Sequence, residues 1–310
     1  MKKFKLNSSI TLDDAFENFI ISKKAKGIAD KTVKSYKAQF SRIRFFLGGN
    51  ANMADLTKAD FENMVTAMRD AELSPNSIKS YLITARAFLH WCNDNGITDI
   101  MIPPYKGKQV IKQTYTDDEL KKLLAKPNMR KCNFAEYRNW VIVNFLLNCG
   151  CRAGTLRNIL IEDVDMSNNI VFARHTKTDN PQALPICSQM KVILQEYMAI
   201  RKGSPTEFLF CNDTGGQLTE NGLRCTIAKY NNKRGVEKTS IHLFRHTFAR
   251  KYLVDCGGNA FTLQKLLGHS TLDMTKHYCA IYDIDIQKNF DTFSPLAQLN
   301  ANKKKISITV

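Results

Sequence analysis

The sequence predicts a mainly α-helical chain of two domains, the second carrying a small antiparallel sheet, and three observations carry that prediction. Apolar residues recur at helical spacing over most of residues 11–95. A stretch rich in proline and lysine then interrupts the pattern. Beyond it, helical periods resume on either side of one strand, turn and strand. A length of 310 residues also suits two domains of roughly 100 to 200 residues each.

From Thr11 to Asp94 four helices are expected, separated by KGIADK, GGNANMADLT and ELSPNS, with Asp30, Thr57 and Ser74 as caps. In KTVKSYKAQFSRIRFFLG, Val33, Tyr36, Phe40 and Ile43 fall at helical spacing, while Lys34, Lys37 and Arg44 fall elsewhere. NSIKSYLITARAFLHWCND repeats the arrangement with Lys79 and Arg86. Helices with one apolar and one basic side suit a small bundle that lays a face on DNA, although any single lysine also suits an ordinary solvated surface. Lys34, Lys37, Lys79, Arg86 and, in the second half, Lys229 are the candidate DNA contacts. Contacts of this kind to phosphates give affinity without revealing sequence preference.

The segment GITDIMIPPYKGKQVIKQTYTDDEL holds Pro103, Pro104, Gly107 and several lysines before TDDEL caps a new helix. It sets a first domain at 1–97, a linker at 98–114 and a second domain at 115–298. Within the second domain, helices around 117–125 and 134–149 lead into a turn, CGCRAGTL. IVFARHTKTDNPQALPICS reads as a strand, a turn at Asp179 to Pro181 and a strand, with further helices up to about 290. The tail at 299–310, ending KKISITV, alternates apolar and polar residues as a short strand with nothing nearby in sequence to pair with.

Composition narrows the function. Lys and Arg number 45 against 29 Asp and Glu, a formal charge of +16 spread along the chain. That spread favours a long polyanion, nucleic acid first, over a local acidic ligand; a merely solvated basic surface is the alternative. The nine cysteines are odd in number and scattered, with only Cys149 and Cys151 close together. No disulfide framework or paired C-x-x-C zinc signature emerges, so reduced, buried thiols in a reducing compartment are expected. The N-terminus lacks an apolar signal region and no run of 18 apolar residues occurs. A soluble, cytoplasmic protein away from membranes is expected. The one dense carboxylate group, Glu162 to Asp165, precedes a strand, where acidic turns are common, and argues weakly for a metal-dependent nuclease or transposase.

The chemistry-bearing residues lie further on. In HLFRHTFAR, His242 and Arg245 are three apart on one helix face, and Phe244 and Phe248 are four apart on another. An imidazole beside a guanidinium suits a phosphate, yet alone this string is better explained by an exposed charged helix end. In FTLQKLLGHSTLDMTKHYCAIYD a short amphipathic helix ends at Gly268, His269 follows at the turn, and Tyr278 comes nine residues later. Upstream, Arg152 follows an apolar helix, where a charge has no packing reason to be, and Lys177 falls in the strand-turn RHTKTDN.

The ordered set of Arg152, Lys177, His242-x-x-Arg245, His269 in LGH and Tyr278 resembles the tyrosine recombinase (phage integrase) family, its simple Xer-like members above all. The resemblance covers nearly the whole chain. It implies a SAM-like core-binding domain of four helices, followed by a mostly helical α+β catalytic domain. It implies that Tyr278 attacks a scissile phosphodiester to form a 3′-phosphotyrosyl link, with Arg152 and Arg245 clamping the non-bridging oxygens. His242 and His269 would complete the cage, and Lys177 would protonate the departing 5′-oxygen. Neither a metal nor any other cofactor is implied. A tyrosine with its ordinary pKa near 10 needs such cations to become a nucleophile at neutral pH.

The same resemblance implies double-stranded DNA as partner, a tetramer on two sites, and room for accessory DNA-bending or directionality proteins. Integration and excision of a mobile element is the expected role, with Xer-like dimer resolution or inversion as alternatives. Type IB topoisomerases share the chemistry, and a DNA-binding module without catalysis need not keep all six residues. One departure is Thr155, where the family commonly has an acidic residue three positions after its first arginine; Glu162 or Asp163 are expected to compensate. Tyr282 is a rival nucleophile on the same helical face, disfavoured by its spacing. Structural or surface roles are expected for His175, His246 and His277, and addition of the tail to a neighbouring protomer's sheet is expected for 299–310.

Overall fold

The structure is a computed structural model that describes residues 10–105, 113–175, 181–272, 274–275 and 294. The chain divides into two compact units, Met1–Val110 and Ile111–Val310.

The first unit holds α1 (Leu12–Ala25), α2 (Asp30–Phe46), α3 (Lys58–Asp70) and α4 (Pro75–Asp94). Side-chain caps set most of the starts. Thr11 accepts from Asp14 N at 3.2 Å, Ser74 accepts from Ser77 N at 3.2 Å, and the Asp60 carboxylate reaches back to Thr57 N at 2.7 Å. Asp30 is not a cap: the N-cap position falls on Ala29, and Asp30 becomes the first helical residue, where its charge favours the positive helix end. The expected apolar faces are the packed ones. Val33, Phe40 and Ile43 are buried against Phe16, Phe19 and Phe88, with the Phe16 and Phe40 rings stacked at 3.6 Å. Burying one such ring contributes about 2 kcal/mol.

The second unit is organised around α6 (Phe134–Cys149), a helix apolar on nearly all sides and therefore central. Before it, α5 (Asp117–Leu124) opens on a reciprocal cap between Thr116 and Glu119. Gly150, in the left-handed region at φ 61°, ends α6. Here the structure departs from expectation: Ala153–Arg157 forms a short helix, α7, where CGCRAGTL read as a turn. A five-residue helix is too short to display an apolar period. A 3₁₀ turn, Ile161–Asp163, then leads to the strands β1 (Val164–Asp165), β2 (Ile170–Ala173) and β3 (Gln182–Pro185). They form one antiparallel sheet in the order β1-β2-β3, with Val171 opposite Leu184 and Phe172 opposite Ala183. Val171 and Leu184 face the core while Phe172 is exposed, the alternation that fixes register.

The remaining elements are α8 (Ser188–Arg201), α9 (Glu220–Lys233), α10 (Ile241–Arg250), a π-helical turn at Lys251–Asp255 and α11 (Ala260–Leu267). α10 lies against α6, and Phe244 is fully buried between them. The expected tail strand at 299–310 lies outside the described residues.

Among the described residues the cysteines are free thiols, but Cys187, Cys225 and Cys256 are exposed, so burial does not account for all of them. Among the described residues no group of His, Cys, Asp and Glu could hold a metal ion, and no helix is long and apolar enough to cross a membrane.

Candidate active site at the end of α11

The site is built on a helix terminus. Asn259 starts α11 by accepting from Phe261 N at 2.7 Å, and Gly268 ends it in the left-handed region at φ 60°. Leu263 and Leu267 seat the helix against Ala249 and Phe248 of α10 and against Tyr252. The turn closes with His269 N donating to Gln264 O at 3.0 Å and Gln264 Nε2 returning a bond to His269 O at 3.2 Å. His269 is thereby held from both sides of its main chain.

The last carbonyls of an α-helix have no partner within it and carry partial negative charge. Here guanidinium groups take them. Arg245, only 6% exposed, donates to Leu267 O at 2.9 Å and to Gly150 O at 3.0 Å. Arg152, the N-cap residue of α7, donates through both terminal nitrogens to Gly268 O at 3.3 and 3.2 Å. The two arginines come from positions far apart in sequence: Arg152 follows the turn that Gly150 makes at the end of α6, and Arg245 is carried by α10. A Cβ on Gly150 would lie 2.4 Å from Phe248 Cδ1 and 3.0 Å from Leu267 Cδ2.

Arg245 Nη2 also meets His269 Nε2 at 2.7 Å. A guanidinium can only donate, so Nε2 accepts and the ring proton belongs on Nδ1, which lies 2.9 Å from Thr275 Oγ1. Thr275 is fully buried. Burial first, then the charges of Arg245 and Arg152, lower the His269 pKa to about 4. The cage thus holds two cations and one neutral imidazole at neutral pH.

Of the six residues expected to carry chemistry, the structure brings Arg152, Arg245 and His269 together. His242 lies one turn before Arg245 on α10, with its side chain exposed. Lys177, Tyr278, Tyr282 and His277 lie outside the described residues. His246 is half-buried and His175 exposed. Lys34, Lys79, Arg86 and Lys229 are exposed, and so is Lys37, but its Nζ already binds both Glu17 carboxylate oxygens at 2.9 and 3.1 Å.

The expected compensation for Thr155 is overturned. Glu162 and Asp163 pair with Arg174, at 3.2 and 2.6 Å, and Arg152 is held by the Gly268 carbonyl instead. The Arg174–Asp163 approach is a close ion pair rather than an aligned hydrogen bond to that oxygen. Asp163 is buried because its other oxygen accepts from Leu160 N at 2.8 Å and so closes the 3₁₀ turn.

Gln182 and Thr275 also shape the site and carry no local signal in the sequence; Gly150 has the local signal of a helix end, but its fit against Phe248 and Leu267 acts across the fold. Gln182 donates to the end of α11, at Leu266 O, from the first position of β3.

Residues 113–284 match the sequence model of the phage integrase family, and residues 14–96 match the phage integrase N-terminal SAM-like domain. The chain is similar to tyrosine recombinase XerC of Oceanobacillus iheyensis, at 26% identity over 297 residues, covering 90% of this chain and 94% of that protein. Its fold resembles a lambda integrase dimer bound to a COC′ core site, with a TM-score of 0.71 at 20% identity over 87% of this chain and 95% of that one. A lambda integrase tetramer bound to a Holliday junction gives a TM-score of 0.71 at 19% identity, over 88% of this chain and 78% of that one.

Proposed function

The chain belongs to the phage integrase family, and from that premise we propose that it is a tyrosine site-specific recombinase that cuts and rejoins duplex DNA. One observation carries the reading: Arg152, Arg245 and His269 converge at the end of α11, and His269 stands nine residues before Tyr278.

In this reading Tyr278 attacks the scissile phosphorus, its oxygen bonds to the 3′-phosphate, and the bond to the 5′-oxygen breaks. Arg152 and Arg245 turn from main-chain carbonyls to the non-bridging oxygens, where negative charge grows in the pentacoordinate transition state. Preorganised donors of this kind contribute about 3 kcal/mol each. His269, kept neutral with an acceptor nitrogen, is suited to take the tyrosine proton once Arg245 turns to phosphate. His242 adds a donor from the preceding turn of α10, and Lys177 protonates the leaving 5′-oxygen. Because the phosphotyrosyl link conserves the energy of the broken bond, the cycle needs no ATP, and in this reading Arg152 and Arg245 supply the charge stabilisation that a metal ion would otherwise give.

Exchange between two duplexes assigns a tetramer on paired sites, in line with the lambda integrase tetramer on a Holliday junction. Residues 301–310 add to the neighbouring protomer's sheet, where β3 is an edge strand. Deleting them should weaken assembly on paired sites more than binding of one protomer to a half-site, and equal losses would refute that part. The protein works in the cytosol on the DNA of a mobile element, with Lys34, Lys37, Lys79, Arg86 and Lys229 as its candidate DNA contacts.

The test incubates purified protein, without metal or ATP, with nicked duplexes from the DNA flanking its own gene, and looks for a denaturant-resistant protein–DNA adduct. An adduct lost in Tyr278→Phe and kept in Tyr282→Phe is the expected result. An adduct that survives Tyr278→Phe refutes the assignment. Cleavage mapped to the ends of an element supports integration and excision, whereas cleavage at a single chromosomal site would indicate dimer resolution.

A further inference from the structure

Three successive main-chain carbonyls end α11, and three different elements hold them. Gly268 O accepts from Arg152 ahead of α7, Leu267 O from Arg245 of α10, and Leu266 O from Gln182 Nε2 at 2.5 Å, with Lys265 O 3.4 Å from the same nitrogen. The first two donors are cations of the cage. Gln182 is a neutral residue on the sheet, and it takes the carbonyl next to theirs.

A second observation makes the contact a fitted one. A Cβ on Gly268 would stand 2.8 Å from Gln182 Oε1 and 3.2 Å from its Cδ. The glycine is required by φ +60°, and a Cβ there would also push the glutamine amide out of its place. Gln182 lies against the turn from which His269 projects.

We infer that Gln182 is a positioning residue for phosphate activation: by clamping the end of α11 to the sheet it fixes the carbonyls and the His269 backbone on which Arg152, Arg245 and His269 are set. The inference rests on the proposed role of that cage. Arg245 is anchored to two carbonyls, Gly150 O on the α6 side and Leu267 O on α11. Movement of α11 changes the separation of those anchors, so the guanidinium can keep one and lose the other. α11 itself is only eight residues long and has a small apolar seat, so its end depends on polar ties more than a core helix does. Gln182 ties it to β3, which pairs in register with β2 and through it with the core.

The informative variant is Gln182→Met, which keeps the length and packing of the side chain and removes the donor; Gln182→Glu, which turns an acceptor toward the carbonyls, extends the series. Two readouts are needed. The first is single-turnover formation of the phosphotyrosyl adduct on a nicked duplex, compared between an ordinary scissile phosphate and a methylphosphonate, which lacks one negative oxygen and so needs less neutralisation. Gln182→Met should slow the phosphate reaction by roughly 10- to 100-fold, the scale of loss for a small misplacement of catalytic groups. The loss on methylphosphonate should be markedly smaller, half-site affinity should stay within about twofold, and Gln182→Glu should be slower still. The second is the His269 titration followed by NMR in the full-length protein without DNA. Its pKa should rise from about 4 toward the ordinary histidine value as the cage loosens.

Equal losses on both substrates, or a cleavage rate and a His269 titration both unchanged in Gln182→Met, would overturn the inference. If the wild-type protein forms no adduct, the recombinase reading fails, and the titration still decides whether Gln182 holds the cage.

Discussion

Gly150→Ala is the substitution whose cost the geometry bounds most closely. Gly150 sits at φ +61°, where a residue with a Cβ loses about 1–2 kcal/mol relative to right-handed backbone. The added methyl would also lie 2.4 and 2.9 Å from Phe248 Cδ1 and Cγ, and 3.0 Å from Leu267 Cδ2. Overpacking of that kind costs about 1–3 kcal/mol, because the ring must move against neighbours already packed at core density. The expected destabilisation is therefore about 2–5 kcal/mol. Gly235→Ala isolates the backbone part: Gly235 has φ +68° and a Cβ there would meet nothing within 4 Å, so only about 1–2 kcal/mol is expected. The assay is urea unfolding followed by Trp140 fluorescence in a Trp91→Phe background, which leaves the second unit's tryptophan as reporter. A loss for Gly150→Ala no larger than for Gly235→Ala would refute the steric argument. Where the variant still folds, displacement of Phe248 and Leu267 should also slow adduct formation, since Leu267 O and Gly150 O both hold Arg245.

Other perturbations follow from single contacts. Lys34→Ala should weaken half-site binding and lower the slope of log affinity against log salt by about 1, whereas Lys37→Ala, which frees Glu17 from its partner, should change that slope less; equal slopes would refute the distinction. Asp163→Ala removes the carboxylate that closes the 3₁₀ turn and pairs with Arg174, and should cost about 2–3 kcal/mol by urea unfolding; a loss under about 0.5 kcal/mol would show that the turn holds without it. His269 has a folded-state pKa near 4 against 6.5 in an unfolded chain. Above pH 6.5 both states are neutral and stability is unaffected. As pH falls through that window the unfolded state binds the extra proton and stability drops, levelling off below 4, by ~2 kcal/mol after allowance for solvent screening. His269→Gln should remove that part of the pH dependence, and an unchanged slope would show that another group carries it.

Much of the fold was legible in the sequence, for physical reasons that also mark where legibility ends. Helix starts at Thr57, Ser74 and Thr116 are local events, decided by a side chain reaching a backbone group within three residues, and the sequence states them directly. Asp30 misleads because a carboxylate serves a helix end either as cap or as first-turn charge, and only the backbone angles at Ala29 decide between them. The apolar faces of α2 and α4 were readable, as was the spacing of Arg152, Arg245 and His269. The partners of those residues were not. That Arg152 is held by a carbonyl and not by Glu162 or Asp163 depends on where β2 delivers Arg174, a distance no sequence interval encodes. Gln182 and Thr275 are ordinary polar residues until α11 and its following turn are placed beside them.

The gathering of cations around HLFRHTFAR has an electrostatic explanation. Two guanidiniums and an imidazole brought together would repel one another, and burial would raise the cost. The fold offsets this in two ways. The end of α11 and the end of α6 supply main-chain carbonyls, so each arginine is hydrogen-bonded to the partial negative charge of a helix C-terminus while it waits. His269 is kept neutral by burial first and by the same cations second, which removes a third charge. The arrangement is held in geometry yet exchangeable in bonding: a phosphate that replaces the carbonyls gains full charge-assisted hydrogen bonds from donors already in place. On this account the carbonyls at the end of α11 stand in for phosphate oxygens in the DNA-free protein. On the proposed function, the residues that fix that end, Gly150, Gln182 and Gly268 among them, would set reactivity without themselves touching the substrate.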